Sequence, residues 1–274
     1  MKNIKKFLLT IAMTMALGTS AFAASGFEFL LNVPLGMNIG IPKENKNLVM
    51  VNDGNSPVGF DVGIDAQVGY MFQVKENFGI SVLAELGYSY DIYGFDYSSS
   101  ERFMGADVNY LINCKQYYNS FKIGLLPKFN ISVGDKGAIA IGIGGGVKIP
   151  GSGKLKITTT GKATSTLLGG TMEIEDKREI DIKRKDITDT FSPSVIGYFK
   201  VTFDYYLFFT DNIAMNFGLY LGGDFGPSIK DLTVISSKIS GIPGVFTPQV
   251  KDSKIGANAF DIGLQLGFRY GPKA

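Results

Sequence analysis

Apolar and polar residues alternate with a period of two along eight segments of this chain. In the second segment, for example, Val62 and Ile64 alternate with Asp61 and Asp65. This period predicts β-strands, because successive side chains of a strand point to opposite faces of a sheet. Pro127 makes the fourth strand the weakest, since proline cannot donate to a strand ladder. The predicted strands cover residues 27–39, 60–74, 78–92, 121–133, 139–149, 195–209, 213–225 and 260–270.

The two faces of these strands differ in charge. The apolar face comprises 57 positions without a charged residue, whereas the opposite face comprises 49 positions and carries 13 charges. The polar face is also crowded with glycine, which suits a narrow interior. The bulky side chains therefore face outward, as in a barrel surrounded by lipid, because hydrocarbon tolerates neither charges nor open sheet edges. A soluble secreted barrel is the alternative, and so many uncharged outward positions disfavour it.

Aromatic residues stand near both ends of the predicted apolar band, as they do in transmembrane barrels. Short links join the second and third, fourth and fifth, and sixth and seventh strands, and long links cover residues 40–59, 93–120, 150–194 and 226–259. This alternation predicts an all-β, eight-stranded antiparallel up-and-down transmembrane β-barrel with short periplasmic turns, long external loops and both termini periplasmic. We expect the aromatic girdle to include Phe72, Phe78, Tyr88, Tyr90, Phe209, Phe225, Phe268 and Tyr270.

In this pattern the chain resembles the small eight-stranded outer-membrane proteins of the opacity-protein and outer-membrane-protein-A group. The resemblance runs from Phe27 to Tyr270, and the last strand resembles the C-terminal signal read by the barrel assembly machinery. Four residues, 271–274, follow the final aromatic, whereas the group usually ends on one. The resemblance implies outer-membrane lipid and the assembly machinery as partners. The group includes adhesins, structural anchors, narrow pores and a few enzymes, so the resemblance does not select one function.

The beginning of the chain has the pattern of an export signal. Lysines precede an apolar run that ends at Leu17, and an A-x-A cleavage site ends at Ala23. This order predicts a signal peptide over residues 1–23 and a mature barrel domain over residues 24–274. A retained anchor helix is the alternative, although the run is too short to span a bilayer.

Composition argues against most catalytic chemistry. The chain of 274 residues has no His and one Cys, and its 27 basic residues nearly balance its 25 acidic residues. The absence of His excludes His-assisted hydrolysis and most zinc sites. The balanced charge provides no basic field for nucleic acid. We therefore expect no enzyme, no cofactor, no metal site and no nucleic-acid partner.

The charges of the inward face have two interpretations. One is a lumen plugged by ion pairs and hydrogen bonds, because an unpaired charge in a narrow interior is unfavourable. The other is a thin water path that favours cations, since eight acids outnumber five bases. The charged residues are Glu28, Asp61, Asp65, Glu85, Asp91, Lys122, Lys128, Lys148, Lys200, Asp204, Asp224, Asp261 and Arg269.

The long links form a second candidate site, because binding residues concentrate on loops held by a rigid scaffold. For the aromatic link 93–120, the alternative role is to extend the strands above the membrane. The charged run 173–185 is typical of a solvated face rather than a ligand patch. Cys114 is expected to be a buried or spectator thiol, with an intermolecular disulfide as the alternative. The aromatic residues that could contact host or matrix ligands are Tyr93, Phe95, Tyr97, Phe103, Tyr110, Tyr117 and Tyr118.

The sequence thus predicts a surface-exposed structural or adhesive barrel of a bacterial outer membrane, with contact loops above a plugged lumen. A low-conductance, slightly cation-leaning, porin-like channel for ions or small solutes is the alternative function. The pattern indicates neither the ligand of the loops nor the oligomeric state.

Overall fold

The structure is a computed structural model that describes residues 25–43, 58–103, 106–165, 170–226, 228–229 and 255–274. The predicted signal peptide over residues 1–23 and most of the links 40–59 and 226–259 lie outside these residues. The elements in chain order are β1 (Gly26–Pro42), β2 (Val58–Lys75), β3 (Phe78–Phe103), β4 (Ala106–Leu125), β5 (Lys128–Val133), β6 (Gly137–Ser165), β7 (Gly170–Lys183), α1 (Arg184–Thr190), β8 (Phe191–Ser192), β9 (Ile196–Phe208), β10 (Ile213–Phe225), β11 (Ser228–Ile229) and β12 (Ile255–Tyr270).

The long strands close into a ring with eight strand positions. The order is β1, β2, β3, then β4 and β5 in one shared position, followed by β6, β9, β10 and β12, and β12 pairs back with β1. All these pairings are antiparallel. Closure leaves no open edge in the ring, which is what a sheet in hydrocarbon requires. The predicted eight-stranded antiparallel barrel is confirmed.

The fourth predicted strand contains a break, so the expectation of a continuous strand over 121–133 is corrected. β4 ends and β5 begins on either side of Leu126 and Pro127. The proline has no N–H for the ladder, and the backbone N–H of Leu126 donates instead to the carbonyl of Leu83 at 2.8 Å. Both pieces pair with β3 and β6, so the ring is preserved.

The outer surface of the ring is apolar. β10 carries four aliphatic or aromatic side chains that are each 39–55% exposed, namely Ile213, Phe217, Leu219 and Leu221. Exposed apolar residues repeat in this way on every strand of the ring, and such a surface is stable only when lipid covers it. Of the predicted girdle, Phe78 and Tyr90 are partly buried. The girdle residues that are exposed by half or more are Phe72, Tyr88, Phe209, Phe225, Phe268 and Tyr270.

Glycines on the inner surface make room for an aromatic side chain that lies across the barrel wall. Tyr220 of β10 pairs with Gly263 of β12, which pairs with Gly36 of β1. The Tyr220 ring lies over Gly263, and its hydroxyl lies over Gly36 and donates to Asp61 of β2. A Cβ atom at Gly36 would collide with that hydroxyl and with the Asp61 carboxylate. Close approach of neighbouring side chains therefore requires these glycines.

Three strands of the ring, β3, β4 and β6, continue beyond it. Their outer parts and β7 form what we call the projecting sheet. β2 pairs with β3 only as far as Asp91, and β9 pairs with β6 only as far as Lys148. β4, by contrast, pairs with β6 as far as Ser165. Residues 150–194 are therefore mostly strand and not a loop, which corrects that expectation, and residues 93–120 follow the alternative of strand extension. Pairing satisfies backbone groups that a loop would leave to water.

The helix α1 follows β7 and packs inward. Its residue Ile187 is fully buried, and Arg184 donates to the carbonyls of Pro150 and Ser194 at 3.1 and 2.8 Å. These bonds hold α1 over the loop end of the barrel, opposite the turn end where the short turns 76–77, 134–136 and 209–212 lie. Among the described residues, no helix is long and apolar enough to cross a membrane.

Candidate functional site

The thirteen inward charges predicted from the sequence all point into the barrel. Twelve of these side chains are buried, and Asp61 is partly buried. The alternation of each strand places them there, because every second residue of the ring faces the lumen. The strand register arranges them in four levels, which we number from the turn end to the loop end.

Level one joins the first and last strands of the ring. Arg269 Nε donates to Glu28 Oε1 at 2.6 Å, and the Ser81 hydroxyl donates to the other oxygen of Glu28. The Arg269 guanidinium also lies over the Tyr206 ring, 4.8 Å from its centroid. A planar, delocalised cation suits both contacts at once. Arg269 Nη2 donates to the Pro272 carbonyl at 2.8 Å, which holds the segment after β12 across the turn end.

Level two is an ion pair surrounded by neutral donors. Lys128 Nζ lies 2.9 Å from Asp204 Oδ2, and neither side chain is exposed. The Asp204 carboxylate also accepts hydrogen bonds from Thr202, Asn216 and Gln265. These donors satisfy the lone pairs that the lysine does not reach, which a buried ion pair requires.

Level three is a four-membered network of alternating charges. Lys122 Nζ lies 2.5 Å from Asp65 Oδ2 and 3.5 Å from Glu85 Oε1. Lys200 Nζ lies 2.6 Å from Glu85 Oε2 and 3.3 Å from Asp65 Oδ2. The Tyr198 hydroxyl adds a hydrogen bond to Glu85 at 2.9 Å. Each lysine thus bridges both acids, and the network crosses the lumen between β2, β3, β4 and β9.

Level four is rich in carboxylates. Lys148 Nζ bridges Asp91 Oδ1 at 2.9 Å and Asp224 Oδ2 at 2.6 Å. The Tyr93 hydroxyl donates to Asp224 Oδ2 at 2.6 Å. Asp61 and Asp261 complete this level from β2 and β12, on the same side of the barrel. A cavity of about 40 Å³ lies between levels three and four.

An apolar cap covers the loop end of the lumen above level four. It brings together the outer strands, α1 and β8, and its side chains are at most 7% exposed. Its members include Tyr118, Leu155, Ile182, Ile187, Phe191 and Ile196. The lumen is therefore interrupted by three ion-paired levels, an acid-rich level and an apolar cap.

Two predicted contact residues do not face solvent, so those predictions are corrected. Tyr93 is 3% exposed and faces the lumen, and Tyr118 is fully buried in the apolar cap. The alternation of inward and outward side chains in β3 and β4 continues beyond the ring, so these tyrosines point to the core. Tyr117 is partly buried, with the Lys156 ammonium over its ring. The contact residues whose side chains lie outside the described part of the structure are Phe95, Tyr97, Phe103 and Tyr110.

Neutral polar residues of the lumen were missed by the sequence reasoning, which considered charge alone. Tyr198, Tyr220 and Gln265 donate to lumen carboxylates as described above. Each occupies an inward-facing position in the alternation of its strand, so the alternation could have identified them. These donors matter because buried carboxylates without partners are strongly unfavourable.

The charged run 173–185 forms β7 and the start of α1. Glu179 lies 3.2 Å from Lys154 and 2.6 Å from Lys156, both on the neighbouring β6. The hydrogen bond between Lys156 and Glu179 lowers the pKa of Glu179 and raises the pKa of Lys156. These side chains are about half exposed, so the run is a solvated, charge-paired strand face.

Cys114 is a buried free thiol in the projecting sheet, and burial raises its pKa from 9.0 to about 12. A higher pKa means less thiolate, by roughly 1,000-fold at neutral pH, and the thiolate is the reactive form. We expect the folded protein at pH 8 to resist iodoacetamide and to show no disulfide-linked dimer, whereas the urea-unfolded chain reacts fully. Mass spectrometry of both states measures this, and rapid labelling of the folded state would contradict it.

No protein-family model matches the chain, and no curated protein matches it. Solved structures to which the chain is similar include Neisserial surface protein A (9% identity, 89% of this chain and 96% of that chain, TM-score 0.30) and the attachment invasion locus protein Ail of Yersinia pestis (11%, 89% and 98%, 0.25). A third is the outer membrane protease OmpT of Escherichia coli (9%, 89% and 96%, 0.25).

Proposed function

We propose that the protein is a non-enzymatic outer-membrane barrel that presents the projecting sheet as an adhesive or structural surface. The observation that supports this proposal is the length of the sheet. β6 extends 17 residues past Lys148, its last residue paired with β9. At about 3.3 Å per residue this amounts to more than 50 Å of strand beyond the ring.

The edge of the projecting sheet is suited to binding another chain. Among the described strands, β7 pairs with β6 alone, so its other edge offers backbone donors and acceptors. An extended segment of a partner can add to such an edge. Acidic side chains of β7 form exposed ion pairs with lysines of β6, and ion pairs of this kind contribute little stability. A partner can therefore exchange them for its own charges.

The alternative function, a cation-leaning pore, has less support. Continuous conduction requires an open path, but buried ion pairs occupy the lumen at levels one, two and three, and the apolar cap lies above level four. This arrangement favours a plugged lumen and leaves the projecting sheet as the surface available for function. The signal peptide, periplasmic termini and assembly through the last strand belong to the same proposal.

A shortened projecting sheet tests the adhesive role. Thr158 and Lys177 are register partners, so an Asn-Gly turn that joins them and replaces residues 159–176 keeps the inner hairpin and the apolar cap. We expect bacteria that display the full chain to bind cultured epithelial cells and immobilised fibronectin or laminin at least fivefold better than bacteria without it. The shortened chain should lose most of this binding.

The control for this experiment is equal surface abundance and equal heat-modifiable migration of both chains, which show that the barrel has folded. A Lys177→Gln variant serves as a point control, because it changes one charge and leaves the β7 edge in place. Equal binding by the full and shortened chains, or no binding by the full chain, would argue against the adhesive role.

A further inference from the structure

The outer edge of β7 is long and regular. All 14 residues of β7 pair with β6 in one unbroken register, from Gly170 opposite Ser165 to Lys183 opposite Ser152. The strand contains no proline, so each residue keeps its backbone donor and acceptor. Proteins usually protect an edge of this kind with prolines, bulges or charged side chains. Within the described part of β7, charged side chains are the device that is present.

The exposed row of β7 is mostly acidic. Every second side chain from 173 to 181 is more than half exposed, and four of these five residues are acids. Lys183 ends the row where α1 begins. The five exposed residues, which together carry a formal charge of −3, are Glu173, Glu175, Lys177, Glu179 and Asp181.

Lysines of β6 compensate this charge only from the inner side of β7. A carboxylate oxygen of Glu173 lies 3.1 Å from the ammonium nitrogen of Lys162. Glu175 stands opposite Thr160, and its ion pair is with Lys177 of its own strand. A strand added to the outer edge lies about 5 Å from β7 and about 10 Å from β6. The second distance is about the Debye length in physiological salt, so the acids of β7 dominate the charge that an added strand meets.

The opposite row of β7 offers a neutral surface. Asp176 Oδ2 and Arg178 Nε lie 2.9 Å apart, and Ile180 packs against the apolar cap. Alternate side chains of a neighbouring strand meet alternate rows of β7. A strand that fits this edge therefore has cations in one row and small or apolar side chains in the other.

A second copy of this chain matches the edge poorly. The row from Glu173 to Asp181 has four acids and one base, so two copies aligned along its length place acids opposite acids in every register. Like charges directly opposite each other destabilise a strand pair. The acidic row therefore disfavours the self-association that a regular edge otherwise permits, and it leaves the edge available to a strand of opposite charge.

We propose that the partner of this edge is an extended basic segment of another protein, with lysine or arginine at every second position. The segment adds to β7 as the fifth strand of the projecting sheet, and its cations lie beside Glu173, Glu175 and Asp181. Charge matching of this kind contributes to selectivity and to the rate of association. The inference rests on the proposed use of the projecting sheet as a binding surface, and it names the chemistry of the partner.

Peptide binding to the refolded barrel tests the proposal. The probe is a fluorescent peptide of about ten residues in which lysine alternates with threonine and valine, and its anisotropy is measured in zwitterionic detergent. We expect saturable binding that is at least tenfold tighter than binding of the same peptide with glutamate in place of lysine. Two central prolines should abolish binding of the lysine peptide, because they interrupt the backbone ladder and leave the charge unchanged.

A charge-reversed barrel locates the site. Glu175→Lys combined with Asp181→Lys should weaken binding of the lysine peptide at least tenfold and strengthen binding of the glutamate peptide. The matched control is Glu76→Lys combined with Asp211→Lys, which makes the same change in net charge on exposed turns at the opposite end of the barrel. It should bind the lysine peptide as the wild type does. Heat-modifiable migration shows that each variant has folded, and Glu175→Gln alone replaces the reversed barrel if that variant does not fold.

The outcomes separate this inference from the adhesive role. Equal affinity for the two peptides, unchanged binding of the proline peptide, or equal weakening in both double variants would overturn the inference. A barrel that binds no peptide although its bacteria adhere would overturn the inference and leave the adhesive role standing. Peptide binding that depends on Glu175 and Asp181, without adhesion of the bacteria, would support the inference and contradict the adhesive role.

Discussion

Replacement of Lys128 by Met should destabilise the barrel by about 3–5 kcal/mol, because it removes one partner of a fully buried ion pair and leaves the Asp204 charge behind. The hydrogen bonds from Thr202, Asn216 and Gln265 orient that carboxylate but cannot neutralise it. Equilibrium unfolding in urea measures the loss. The chain has no tryptophan for fluorescence, so unfolding is followed by far-UV circular dichroism and by heat-modifiable migration.

A double variant separates the charge effect from the lost packing. Lys128→Met combined with Asp204→Asn removes both charges and keeps a side chain that can accept the remaining hydrogen bonds. We expect it to be more stable than Lys128→Met alone. Lys177→Met is the matched control, since Lys177 pairs with Glu175 on the exposed face of β7 and should change stability little. A single Lys128→Met variant as stable as the wild type would mean that level two does not hold the barrel together.

An arginine at Leu219 should destabilise the protein in lipid vesicles by about 2–4 kcal/mol, the cost of a cationic side chain at the middle of a membrane-spanning strand. Leu219 is the central residue of β10 and is 55% exposed on the outer surface. The effect distinguishes a lipid-covered surface from a water-covered one, because an exposed Leu→Arg change in water is nearly neutral.

The control for Leu219→Arg is Thr160→Arg, an exposed position on the part of β6 that belongs to the projecting sheet. This substitution should leave stability almost unchanged because the position lies beyond the apolar band. Urea unfolding of both variants in vesicles of the same lipid provides the comparison. Equal stability of the two variants would contradict the membrane-spanning assignment of β10.

The plugged lumen and the projecting sheet divide the molecule into a stable part and an exposed part. The ring buries its ion pairs and is closed on itself, whereas the projecting sheet has a strand edge and exposed pairs between Lys154, Lys156 and Glu179. Local opening is expected to begin in the projecting sheet, where backbone hydrogen bonds are most accessible to solvent. We therefore expect changes in the projecting sheet to leave the fold of the ring intact.

Alternation alone was enough to predict the ring and the direction of its side chains. A strand turns successive residues to opposite faces, so the phase that put Leu219 outward also put Asp224 inward, without any knowledge of which strands meet. The ends of the strands were less predictable. Tyr93 continues the inward phase of β3, but the sequence around it is also compatible with an aromatic loop, and only pairing with β4 shows that it is a strand residue.

What the sequence determined by itself is the number of strand positions in the ring, the outward apolar face and the set of charges in the lumen, because these depend on local periodicity. The tertiary structure decided which charges meet. Asp61, Asp224 and Asp261 stand on β2, β10 and β12, and the register of the closed ring brings them to one cavity. Register between strands is a long-range property, so the four levels, the excess charge beneath the cap and the projecting sheet follow only from the folded barrel.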